Sequence, residues 1–391
     1  MALVCPYCYE SFPEADIEFR CTGRMSRQGE QCGQARDELL AKRIGFMEPL
    51  PPAFKADGRR LTAVHPDCGD ETTYRICPAC HSQLPVRFGR VTSRMIAMIG
   101  AKDTGKTVYT TVLIHELMNT IGSRFDVAVV GCDDKTRERF VKDQRQLYDE
   151  HELFDPTKTA QAGGGVVAPL VFLLTTEKQG RLRLLGSRHS LFSFFDTAGE
   201  DLISQESVDR NARYLTSADG IILLLDPLQM RGARSLAAPG SRLPDAARDI
   251  DHPVSVLSRV TDLLQARGSR RRGKITKPFA LALSKLDALW HTLPEGNPLR
   301  QPSPNGSAFD TQDSLDVDAY VQALLHEWEG GQIDQIMRKH YARYRYFGLS
   351  ALGETPTRAN RVADRGIRPH RVADPFLWLL SEFGTIPATR V

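Results

Sequence analysis

The stretch IGAKDTGKT, residues 99–107, constrains this chain more than any other. Its spacing is G-x-x-x-x-G-K-[ST]: Gly100, then Ala101 to Thr104 with Asp103 among them, then Gly105, Lys106 and Thr107. Glycines at both ends let the backbone fold tightly, so that successive N–H groups point inward at a polyphosphate. The lysine then reaches the β- and γ-phosphates, and the threonine hydroxyl coordinates Mg²⁺. Context gives the pattern its weight. RMIAMI (94–99) precedes it as a buried-strand run, and TVYTTVLIHELMNTI (107–121) follows with apolar residues at helical spacing. Strand, loop and helix come in the order that aims a helix N-terminus at an anion.

Downstream, four more strands follow, three of them ending in residues singled out here for their chemistry. LFSFFDTAGED (191–201) is an apolar run ending in Asp196, with Gly199 three positions later. An acid at the carboxyl end of a buried strand beside a phosphate loop is placed to hold Mg²⁺ through water. The glycine lets a backbone N–H approach the γ-phosphate. YLTSADGIILLLD (214–226) supplies another buried strand. PFALALSKLDALW (278–290) supplies a third, ending in Ser284, Lys285, Leu286 and Asp287. A carboxylate such as Asp287 accepts two hydrogen bonds from guanine N1–H and its 2-amino group, a donor pair that adenine lacks. Lys285 is expected to lie along the base and pack against the phosphate loop. YFGLSALG (346–353) gives a last strand ending in Ser350, Ala351 and Leu352.

Seven of the eight cysteines lie in the first 80 residues. CPYC (5–8) and CPAC (77–80) are C-x-x-C knuckles, which in a cytosolic chain read as metal binding rather than disulfides. Two assignments of zinc ligands fit the spacing. Locally, Cys5, Cys8, Cys21 and Cys32 make one site, while His65, Cys68, Cys77 and Cys80 make another. In a cross-braced arrangement the first knuckle pairs with the last and the middle ligands take the second ion. Either way about two Zn²⁺ are expected, each closed by four protein ligands with no position left for water.

At 391 residues the chain suits a large domain plus a smaller one. A net charge of +3 with 25% charged residues does not demand a nucleic-acid partner. RGSRRRGK (267–274) reads as a solvated loop, with an acidic partner or RNA as the alternative. IILLL (221–225) and VVAPLVFLL (166–174) are too short to span a bilayer, and MALVCPYCYE lacks a signal-peptide pattern. The expectation is a soluble cytoplasmic protein without membrane partners.

The set GAKDTGKT, DTAGE, SKLD and SAL, in that order on successive strands over residues 93–391, resembles the Ras-like and translation-factor-related GTPases. Zinc knuckles ahead of such a domain, together with ADGIILLLDPLQ (218–229), are similar to the double-GTPase proteins of bacterial multigene systems. The resemblance implies an α/β fold of the P-loop GTPase type, with a mostly parallel sheet flanked by helices. It also implies GTP and GDP as ligands, Mg²⁺, hydrolysis of the γ-phosphate and a two-state switch. Implied partners are a second GTPase and an activating or effector protein in a bacterial conflict system. Three features depart from the pattern. Ser284 replaces Asn or Thr, Glu200 stands where Ras-like proteins have Gln, and Asp196 follows Lys106 by 90 positions. The extra chain includes FDVAVVG (125–131) and KTRERFVKDQRQLYDEH (135–151), expected as an added strand and helix. The switch threonine that meets Mg²⁺ then falls in DPTKTAQAGGG (155–165), as Thr157 or Thr159.

The expected organisation is a zinc-ribbon-like unit over 1–85 and a nucleotide domain over 86–391, with insertions near 125–151 and 291–314. QLPVRFGRVTS (83–93) is read as the connector, 38–63 as a loop-rich insertion between the metal sites, and 291–314 as mobile. Separate ligand sets and separate cores would make the two units independent. Two function classes follow: a GTP-hydrolysing switch whose zinc module contacts partners, or an adaptor that binds nucleotide and hydrolyses little.

Overall fold

The computed structural model describes residues 2–25, 29–86, 88–101, 103–154, 169–177, 187–196, 212–239, 241, 243–244, 253–267, 270–356, 361–363 and 365–390. Its main body is a seven-stranded sheet. In chain order the strands are β1 (Thr92–Gly100), β2 (Val127–Gly131), β3 (Leu170–Glu177), β4 (Ser187–Asp196), β5 (Gly220–Leu225), β6 (Phe279–Leu283) and β7 (Tyr344–Gly348). They lie in the order β2-β3-β4-β1-β5-β6-β7. The five from β4 to β7 run parallel, while β2 and β3 pair antiparallel at one edge. Composition follows position. GIILLL of β5 and FALAL of β6 are buried throughout, as strands covered on both faces must be. The edge strand β2 alternates half-buried and exposed residues.

The flanking helices are α1 (Lys106–Met118), α2 (Asp134–Gln144), α3 (Pro253–Arg267), α4 (Thr311–Glu327), α5 (Gly331–His340) and α6 (Asp374–Glu382). Alternation along β1 divides the core. Met95, Ala97 and Ile99 face the layer holding Val256, Val260 and Val321, while Ile96 and Met98 face Tyr109, Val112 and Phe376. The added strand and helix appear as β2 and α2, with a π-helical turn over Arg145–Asp149. Phe140 of α2 packs edge-on against Phe172 of β3. Among the described residues no helix is long and apolar enough to cross a membrane.

Two expectations about loops are corrected. The 38–63 segment contains a helix, Glu38–Ile44, capped by Asp37 and burying Leu40, Ala41 and Ile44. These three fall at helical spacing, a signal outweighed in the sequence by the surrounding prolines. The 291–314 segment is docked rather than mobile. Leu299 is fully buried, His370 Nε2 donates to its carbonyl at 2.6 Å, and Arg371 Nε donates to Gln301 O at 2.8 Å. Backbone carbonyls, which every sequence has, supply these anchors.

The expectation of separate cores also fails. Cys5, Phe12, Cys77, Cys80 and Phe88 share one apolar cluster with Val171 of β3 and Leu191 of β4. Ser193 Oγ donates to Pro6 O at 2.7 Å, and Tyr7 Oη donates to Asp133 Oδ2, the α2 cap, at 2.7 Å. Helix 212–217 closes the other side, where the Tyr9 and Tyr214 rings lie 5.0 Å apart and Arg213 pairs with Glu10. The first knuckle is therefore part of the packing of the large sheet.

Candidate nucleotide and metal sites

Parallel strands place their carboxyl ends along one edge, and each motif follows such an end. Gly100 closes β1 in the middle of the sheet. A Cβ there would sit 2.5 Å from Thr104 Oγ1 and 2.8 Å from Leu224 O of β5, so the loop can turn back against its neighbour only with glycine. Asp103 and Gly105 take left-handed backbone, with φ of 60° and 83°. Thr104 Oγ1 donates to Ala101 O at 2.9 Å. Lys106 is buried, and its ammonium donates to Gly100 O and Ala101 O at 3.0 and 3.1 Å. Thr107 stands in the first turn of α1, where backbone N–H groups have no intrahelical acceptor. It lines a small cavity with Thr111, Phe194 and, from the added helix α2, Arg139 and Asp143.

Asp196 ends β4 in register with Met98 of β1. Gly199 and Glu200, and the two threonines Thr157 and Thr159, lie outside the described residues. Ser284 follows β6, and its hydroxyl reaches Thr104 O at 2.9 Å and Leu225 O at 3.2 Å. Thus Ser284 hydrogen-bonds the phosphate loop. Lys285 has a φ of 52° and donates to Asp226 Oδ2 at 2.7 Å. Asp226 is fully buried just beyond β5 and also accepts from Leu228 N at 2.9 Å. A buried carboxylate draws in the nearest flexible cation, which accounts for the pairing of Lys285 with Asp226.

Asp287 sits on a 3₁₀ turn (Leu286–Thr292) facing the loop that begins at Ser350. Ser350 Oγ donates to its Oδ1 at 2.5 Å, and Thr355 Oγ1 donates to its Oδ2 at 2.9 Å. Ser350 is buried, and Ala351 and Leu352 are half-buried. Sequence reasoning did not single out Asp226 or Thr355. Asp226 had a usable signal, being an acid at the end of a buried apolar run just as Asp196 is. Thr355 had none.

The candidate metal ligands separate into the cross-braced sets. Cys5, Cys8, Cys77 and Cys80 form one cluster, and Cys21, Cys32, His65 and Cys68 the other, with the ligand atoms of each within 4.8 Å of one another. The assignment by neighbours in sequence is thereby corrected: the strand Glu18–Arg20 pairs with Arg75–Ile76 and carries the last knuckle back to the first. Four sulfurs at about 2.3 Å from one tetrahedral Zn²⁺ stand about 3.8 Å apart. Cys5–Cys80 and Cys8–Cys77 are separated by 3.8 Å and Cys21–Cys68 by 3.7 Å. His65 Nδ1 lies 3.4 Å from both Cys32 Sγ and Cys68 Sγ, with Asp67 Oδ2 3.8 Å from its other nitrogen. Backbone N–H groups of Tyr7, Gly23 and Ala79 point at Cys5, Cys21 and Cys77 sulfurs at 3.4 Å, as N–H donors to metal-bound thiolates do. Burial pushes the Cys5 thiol well above its ordinary range, so thiolates here need a cation. The donor sets fit zinc.

Comparison with known proteins adds relatives to this geometry. The chain is 26% identical over 362 residues, 88% of its length and 86% of the relative's, to SaeC of Mycolicibacterium smegmatis, a candidate ESX-1 scaffolding and assembly protein. Among solved structures it is similar to the Arl6 BBS3 small GTPase of Trypanosoma brucei with a bound GppNp analogue. That likeness has a TM-score of 0.31 and 14% identity, covering 75% of this chain and 99% of that one. A candidate nucleolar GTP-binding protein 1 of Plasmodium falciparum gives 0.30 and 10%, covering 77% of this chain and 92% of that one. The double-GTPase 2 family matches residues 94–324, from β1 through the phosphate loop and base motif into α4. Since that stretch is more than half of the sequence, the chain belongs to the double-GTPase 2 family.

Proposed function

We propose that this chain is a guanine-nucleotide switch that binds GTP and GDP, hydrolyses GTP with Mg²⁺, and passes its nucleotide state to protein partners. The observation that carries the reading is the 2.9 Å contact from Ser284 Oγ to Thr104 O. It fastens the base-reading strand end to the phosphate loop, so one ligand can span both. Lys106 takes the β- and γ-phosphates, and the loop from Gly100 through Asp103, Thr104 and Gly105 cradles them. Thr107 and Asp196 hold Mg²⁺, an ion that neutralises phosphate charge. Asp287 reads guanine, with Ser284, Lys285, Ser350, Ala351 and Leu352 around the base. Gly199 senses the γ-phosphate, Glu200 stands at the water-orienting position, and Thr159 or Thr157 completes the switch. Residues 1–85 form the zinc-held unit and 86–391 the nucleotide domain.

In the family setting the partners are a second GTPase and an activating or effector protein, in the cytoplasm of a bacterial conflict system. Glu200 is a poor substitute for a neutral amide that orients water, so hydrolysis by the isolated chain is slow. A second reading, an adaptor with little turnover, draws on the 26% identity to a candidate scaffolding and assembly protein.

The test begins with the purified protein. Extracted nucleotide is separated by chromatography, zinc is counted, and single-turnover GTP hydrolysis is followed across protein concentrations and with candidate partners. Guanine nucleotide, about two zinc ions, and hydrolysis that rises with partner or self-association are expected. Equal affinity for GTP and ATP would overturn the switch reading. Turnover of about 1 s⁻¹ or faster by dilute chain, well above unassisted rates, would remove the need for a partner. No turnover under any condition would leave the adaptor.

A further inference from the structure

Asp287 meets two hydroxyls, one on each oxygen, and both come from a single loop. Ser350 Oγ donates to Oδ1 at 2.5 Å while accepting from Gly353 N at 2.8 Å. Thr355 Oγ1 donates to Oδ2 at 2.9 Å. Rotation of a carboxylate about its last torsion is broad and roughly two-fold. A donor on each oxygen removes that freedom. An ionised carboxylate has about four acceptor positions, so each oxygen keeps one for a ligand donor after its hydroxyl is counted.

The loop that delivers the hydroxyls is itself fixed. Ser350 and His370 exchange backbone hydrogen bonds at 3.0 and 2.8 Å, and Arg368 N donates to Leu352 O at 2.9 Å. His370 is held in turn by Leu299 O, so the 291–314 segment backs this loop. Thr355 thus reaches Asp287 from a loop whose start, Ser350 to Gly353, is tied down by these bonds.

We infer that Thr355 is a specificity-determining positioning residue, which sets the plane of the Asp287 carboxylate so that both oxygens are presented to a base with two adjacent donors. The inference rests on the guanine reading above and deepens it. A two-point reader discriminates well only if both acceptors are in place. With one oxygen anchored, the second contact is made in a fraction of orientations and adds less. The base class this favours carries a ring N–H beside an exocyclic amine; inosine keeps the first donor and lacks the second.

The experiment measures equilibrium affinities of the full-length, zinc-loaded protein for GDP, IDP and ADP. In the unmodified chain GDP binds more tightly than IDP, and IDP more tightly than ADP. If GDP and ADP bind equally, the guanine reading itself falls, and this is known before any variant is made. Thr355→Val is expected to weaken GDP by about 3- to 10-fold, the range of one lost hydrogen bond. The GDP-to-IDP ratio should fall by a similar factor, and ADP should be unchanged. Thr355→Ser, which keeps the hydroxyl, is expected to restore both. A loss of GDP and IDP by the same factor would mean a merely structural role and overturns the assignment, as does unchanged GDP binding in Thr355→Val. Thermal midpoints of both variants show whether the fold is intact, and the serine variant keeps the test decisive if the valine variant is unstable.

Discussion

The hydroxyl of Ser193, buried on β4, donates a 2.7 Å hydrogen bond to the carbonyl of Pro6, the residue between Cys5 and Tyr7 in the first knuckle. Three positions further, the same strand ends in Asp196. Tyr214 extends the connection, because its hydroxyl accepts from Met98 N at 2.8 Å and donates to Ile96 O at 3.0 Å on the strand that leads into the phosphate loop. The ring of Tyr214 meets Tyr9, beside the same knuckle.

Metal removal should therefore be felt at the nucleotide. We predict that chelation, or Cys77→Ser, releases titratable thiols, lowers the melting temperature of the whole chain and weakens guanine-nucleotide binding by about tenfold, or about 1.4 kcal/mol. Calorimetry with thiol titration and nucleotide binding checks this. Separate melting of residues 1–85 with unchanged nucleotide affinity would restore the independent-module expectation.

Lys285 and Asp226 form an unequal pair, the carboxylate fully buried and the lysine side chain about one-third exposed. Removing the lysine strands a charge inside the protein, whereas Asp226→Asn removes the charge and keeps an amide. Lys285→Ala is predicted to cost about 1–3 kcal/mol of stability, because the lysine is partly solvated and Asp226 keeps its bond from Leu228 N, and Asp226→Asn less. Combining the two should cost less than their sum, because the charge that Lys285→Ala strands is then gone. Urea midpoints of the three variants decide it, and strict additivity would count against the pairing.

Gly353 has a φ of 84°, and a Cβ on it would lie 2.0 Å from Arg368 O. Gly366, with a φ of 76°, has nothing within 4 Å of its Cβ position. Gly366→Ala should thus cost only the left-handed backbone penalty, about 1–2 kcal/mol. Gly353→Ala should cost more and should also displace Ser350 and Thr355 from Asp287, weakening GDP. Equal effects on GDP affinity from the two substitutions would contradict this account.

Burial holds the His370 imidazole below its ordinary pKa while its Nε2–H donates to Leu299 O at 2.6 Å. The sign follows from that depression. A histidine stabilised as the neutral form contributes in full above its unfolded value, about 6.5, and loses that contribution as pH falls through the lower folded value. Stability is predicted to drop more steeply below about pH 6 in the unmodified protein than in His370→Gln, whose amide cannot titrate. Parallel urea midpoints for the two proteins down to pH 5 would argue against it.

The sequence by itself determined the parts whose information is local. A glycine-bounded loop between a strand and a helix, acids at the ends of apolar runs, and cysteines two residues apart are each written within a dozen residues, where backbone sterics and side-chain periodicity act. Gly100, Lys106, Asp196 and Asp287 could be placed on elements for that reason. The tertiary structure alone decided which distant pieces meet. Cys5 and Cys80 are 75 positions apart and join one candidate metal cluster because strands pair antiparallel between them. Ser193 and Pro6 meet across 187 positions, and Thr355 reaches Asp287 across 68. Such contacts depend on the path of the whole chain and on desolvated polar groups seeking partners, and neither leaves a period or a spacing to be read.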